Sequence, residues 1–174
     1  MSYLTNPSRF AVPTSTFTID DSNRTTRRTI GHFGGGRKFA GLKYAFSDGT
    51  LIGAKVYLDN DVGAGTSGNV QLVIYTSTGT DARVLDSLPV SSLTPSLTEY
   101  TFTGSETVNT DDLIGLQMDV ALSNAYRFNA GIFQTVSQID SVESWQLNDA
   151  GVASTLMSGS DYLYLCGIEL SYTA

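Results

Sequence analysis

The chain has 174 residues, 41% hydrophobic and 10% aromatic, long enough for one core that buries about two thirds of the unfolded surface without covalent staples. Its single cysteine excludes an intramolecular disulfide, and its single histidine excludes a multi-histidine metal site. The net charge of −7 is unevenly spread: residues 1–45 carry seven basic groups against two acidic ones, or +5, and the rest carries three against fifteen, or −12.

From Met1 to Arg37 there is little periodicity; Pro7 and Pro13 precede the Arg24–Thr29 stretch and the triple glycine Gly34–Gly36. These features predict an extended basic N-terminal arm over residues 1–37, with one strand at Thr16–Ile19, ahead of a body over residues 38–174. Arg9, Arg24, Arg27 and Arg28 are the arm's candidate contacts, either with an acidic partner or neighbouring copy, or with the acidic body of the same subunit. The glycine run has no following helix and is no phosphate cradle.

Period-two alternation begins at Lys38. Ala40, Leu42, Tyr44 and Phe46 share a face before the turn at Ser47-Asp48-Gly49. Ile52, Ala54, Val56 and Leu58 are expected inward on the next strand, and Val70, Leu72 and Ile74 on the one after, the two joined through a Gly-rich loop as a hairpin-like unit. A weaker strand is expected at Ala82–Leu85, then a polar segment with Pro95, then Tyr100 and Phe102 alternating with threonines. After Asp111-Asp112, Ile114, Leu116, Met118 and Val120 share a face opposite Gln117 and Asp119, which predicts a sheet wet on one side. Tyr126 to Ile132 continues the pattern, Ser144–Leu147 reads as a short edge strand around Trp145, and Tyr162–Tyr172 closes the chain. In that last strand Tyr162–Leu165 is apolar on both faces, so either the arm or a neighbouring subunit is expected to cover it. With no amphipathic helix and about eight to ten strands, the expected fold is all-β: a two-sheet antiparallel β-sandwich, or jelly roll, with the N-terminal arm.

The chemistry-bearing residues do not assemble into a catalytic pattern, and the expectation is a non-enzyme. The acids are scattered, His32 lies in the polar arm, and Cys166 sits mid-strand as a small buried hydrophobe. Asp59, Asn60 and Asp61, followed by Gly63 and Gly65, form the best ionic candidate: closely spaced oxygens on a turning backbone suit calcium, although the same residues also simply make turns. Tyr57, Val73 and Tyr75, opposite the inward set, and Trp145 are candidate interaction residues, either as stacking platforms for a glycan or as an apolar patch against a neighbouring subunit. Nucleic acid is disfavoured by the −12 body. The first thirty residues hold no apolar stretch of the signal-peptide kind and no later run approaches the ~20 apolar residues of a span, so synthesis in the producing cell's cytoplasm and no membrane partner are expected.

The segment Ser91–Gly104, with its Leu-Thr and Tyr-Thr-Phe-Thr-Gly strand, followed by Thr110-Asp111-Asp112-Leu113-Ile114-Gly115-Leu116, resembles a jelly-roll β-sandwich domain recurrent in phage and archaeal virion or surface proteins and related in shape to carbohydrate-binding modules. The resemblance spans about residues 38–135 and rests on strand and turn positions, so it carries over no binding residue. It implies a virion structural protein (capsid, decoration or fibre component) displayed on a particle surface, self-associating with copies of itself and other virion proteins. The alternative it implies is a carbohydrate-binding module.

Overall fold

The computed structural model describes residues 48–62 and 64–120 with their side chains, and beyond these only the backbones of the outlying strands. Among the described residues twelve strands follow in order: β1 Thr14–Phe17, β2 Thr26–Ile30, β3 Arg37–Tyr44, β4 Gly49–Asn60, β5 Asn69–Tyr75, β6 Arg83–Pro89, β7 Thr98–Val108, β8 Leu113–Met118, β9 Phe128–Ile132, β10 Val142–Asn148, β11 Ala153–Thr155 and β12 Ile168–Thr173. A 3-10 turn at Val90–Ser92 is the one helical feature among the described residues, and no helix among them is long and apolar enough to cross a membrane. The described chain is therefore all-β, as its β-branched and aromatic alternation requires.

The strands form two six-stranded antiparallel sheets. In the first, β4 is central: β7 runs along one edge from Gly49 to Leu58, and β12 and then β9 occupy the other, β12 against Thr50–Val56 and β9 against Leu58–Asn60. β1 lies outside β12 and β2 outside β9. The second sheet runs β11-β10-β3-β8-β5-β6. Three of the antiparallel pairings nest around the β5–β6 hairpin, namely β4 with β7, β3 with β8 and β2 with β9. From β3 to β9 the chain changes sheet at every connection except β5–β6.

One hydrophobic cluster joins the sheets. Leu51, Ala54, Val56 and Leu58 of β4 and Phe102 and Val108 of β7 meet Val70, Leu72 and Ile74 of β5 and Ile114, Leu116 and Met118 of β8. The alternation that placed Val70, Leu72, Ile74, Ile114, Leu116 and Met118 inward holds, because side chains two apart on a strand share a face.

Several expectations need correction. Ile52 is 36% exposed and Leu51 takes its core position, since a bulge at Ile52, where the register shifts against β7 and β12, advances the alternation by one residue. β4 and β5 lie in different sheets, so the Gly-rich loop is a crossover and the hairpin is β5–β6. β8 is buried along its whole length, Gln117 included at 5% exposure, so this part of the sheet is not wet on its outer side. The strand around Trp145 is interior to its sheet, paired to β3 and β11. The weak strand at 82–85 extends over Arg83–Pro89. Within the basic segment the strand lies at Thr14–Phe17 rather than 16–19, and a second one, Thr26–Ile30, includes Arg27 and Arg28. The pairing of β1 with β12 ties the two ends of the sequence together.

Candidate functional site

The candidate calcium residues close β4. Strand alternation with Leu58 in the core turns Asp59 to the outer face, where it is fully buried, and turns Asn60 to the side of the core. The Asn60 backbone N–H donates to the Thr94 carbonyl at 2.9 Å and its Nδ2 donates to the Leu93 carbonyl at 3.1 Å. Asn60 thus stitches the end of β4 to the segment before β7, while its Oδ1 is buried and accepts no hydrogen bond.

Beyond this stitch lies a cleft of about 280 Å³, lined by Asn60, Asp61, Val62, Thr66, Val90 and Pro95 among others. Asp59 is not part of its lining. Calcium needs six to eight converging oxygens, and the strand divides this trio between two faces. Among the described residues no group of three or more His, Cys, Asp or Glu is placed to hold a metal. The cleft is lined by apolar residues together with Asp61 and Thr66, a mixed lining suited to a small ligand with both apolar and polar faces.

The aromatic candidates are distributed differently from the expectation. Val73 is 0% and Tyr75 4% exposed, so neither is a surface platform. Both sit on the face of the second sheet away from the shared cluster, whereas Tyr57 is half-buried on the outer face of the first, so the three do not form one patch. Tyr75 donates its hydroxyl to Gln117 Oε1 at 2.6 Å, and Gln117 Nε2 donates to Gln71 Oε1 at 2.8 Å. This chain satisfies polar groups that burial would otherwise penalise. Burial also pushes the Tyr75 phenol above its ordinary pKa.

Trp145 stands in register between Gly41 and Thr155. Arg27 and Arg28 pair with Gly131 and Ala130 through β2 and β9. Arg9, Arg24, His32 and Cys166 lie outside the described residues.

Sequence reasoning read Asp111-Asp112 only as a strand start and did not single out Arg83 or Asp86. Asp112 is 3% exposed and its Oδ2 accepts from Arg83 Nη2 at 2.6 Å and from the Asn109 backbone N–H at 3.0 Å. Asp111 adopts a left-handed φ of 71° in that turn. The signal for Asp112 was the Asn-Thr-Asp-Asp turn composition; nothing local announced its partner 29 residues away. Compared with known proteins, the chain finds no match among family models, curated proteins or solved structures.

Proposed function

We propose that the chain is a jelly-roll β-sandwich serving as a non-enzymatic virion structural component, made in the host cytoplasm and self-associating on a particle surface. The nested pairing is the observation that carries this reading. A long antiparallel ribbon turning at β5–β6, with β4·β7, β3·β8 and β2·β9 as successive rungs, gives a rolled double sheet once β9 joins β4 and β8 joins β5. The cluster shared by both sheets supports the same reading. Jelly rolls of this kind build capsid and lectin domains, and the resemblance over residues 91–116 favours the virion side. The charge split between residues 1–45 and the rest suits contacts between copies.

The test is the solution mass of the full chain by light scattering at low and high salt. A defined oligomer that salt weakens is the expected result; a monomer at both salts overturns self-association. The cleft beside Asn60 favours a second reading, a carbohydrate-binding module with its site at this end of β4. A glycan screen in which Asp61→Ala abolishes the hit supports that alternative, and a screen without hits removes it.

A further inference from the structure

We propose that β6 and β7 form a sealed flank that prevents copies of the chain from pairing strand to strand there, so that association, on the self-assembly reading above, runs through other surfaces. β6 ends the second sheet, and β7 pairs with β4 alone among the described strands. An edge strand with free N–H and C=O groups is a template for another chain. Here two backbone groups of β7 are taken by side chains of β6 in the opposite sheet, and one of β6 by the side chain next to it. Asp86 Oδ2 accepts from the Thr103 backbone N–H at 2.9 Å while its Oδ1 accepts from the Ser87 N–H at 2.8 Å. Arg83 donates through Nη1 to the Thr107 carbonyl and through Nη2 to Asp112.

Between the two contacts, the backbones close in at Gly104. A Cβ there would lie 2.8 Å from the Leu85 carbonyl oxygen and 2.7 Å from Leu85 Cδ1. An incoming strand would have to displace both charged side chains and leave them beside its own ladder, which is the means by which natural sheets block edge pairing. β6 and β7 are therefore a poor place to add a strand, although they stand at the edges of their sheets.

The experiment compares full-length wild type, Asp86→Ala and Asp86→Asn by light scattering and by amide exchange at Thr103. Asp86→Ala is expected to speed Thr103 exchange about tenfold, the equivalent of one hydrogen bond to a charged acceptor, and to raise the mass at least about twofold as copies pair at the opened edge. Asp86→Asn keeps an acceptor and is expected to keep the wild-type mass. A folded Asp86→Ala with wild-type mass overturns the proposal, as does a Thr103 amide that exchanges freely in the wild type. Should Asp86→Ala fail to fold, Gly104→Ala opens the same flank by collision with Leu85 and is read in the same way. A monomeric wild type would defeat the self-assembly reading alone, since a mass increase confined to the opened variants would still support the seal.

Discussion

Tyr75 and Phe102 show how much rests on single side chains. The Tyr75 hydroxyl is the start of a buried relay to Gln117 and Gln71. Tyr75→Phe leaves Gln117 Oε1 without its donor, and a loss of about 1–2 kcal/mol is expected in urea unfolding. The phenol also sets a pH dependence. Its folded pKa is raised by burial, so the stability it contributes is intact below the usual tyrosine value of about 10 and is lost as pH rises through the raised folded value. Wild type is expected to lose stability across that alkaline range, and Tyr75→Phe to flatten that part of the curve. Phe102, 1% exposed within the shared cluster, contributes by packing alone, and Phe102→Ala is expected to cost about 3–5 kcal/mol. Alternation in the sequence set Phe102 on the face opposite the threonines, but Tyr75 was taken for a surface ring, because a single strand's pattern cannot reveal whether its second face is covered.

At the scale of the element, the bulge in β4 decides which residues reach the core. Leu51 is 1% and Ile52 36% exposed, so Leu51→Ala is expected to cost about 2–5 kcal/mol, and Ile52→Thr to stay within about 0.5 kcal/mol. Equal losses in thermal unfolding would mean that the strand keeps an unbroken alternation. Gly53 belongs to the same feature: a Cβ there would sit 2.9 Å from the Phe102 carbonyl oxygen, and Gly53→Ala is expected to cost about 1–3 kcal/mol through the forced backbone shift. Period two made β5, β7 and β8 legible, whereas the bulge depends on hydrogen bonds to two neighbouring strands and left only Gly53 as a local trace. The crossover between β4 and β5 was equally hidden, since a Gly-rich loop serves a hairpin or a change of sheet alike.

For the whole molecule, the basic N-terminal segment matters to the fold as well as to its charge. β1 pairs with β12 and β2 with β9, so residues 14–17 and 26–30 extend the first sheet. Deleting residues 1–36 removes both strands and bares the edges of β9 and β12. The truncated chain is expected to show a lower Tm than full-length protein by calorimetry; an unchanged Tm would mean that the two strands add nothing to the fold. Assembly is therefore better tested on the intact chain, with salt as the variable.

By itself the sequence determined the all-β class and the inward sets of β5 and β8, because side-chain alternation and β-branched composition are local properties. Its one cysteine and one histidine likewise ruled out a disulfide or a multi-histidine site within these 174 residues without any fold. Only the tertiary structure decided that Asp59 is covered, that Arg83 meets Asp112, that Asp86 reaches Thr103, and that Val73 and Tyr75 are covered. Each of these depends on which strands become neighbours or on what covers a face. Pairing is settled by the fit of distant segments to a common core, and no window along the chain contains both partners.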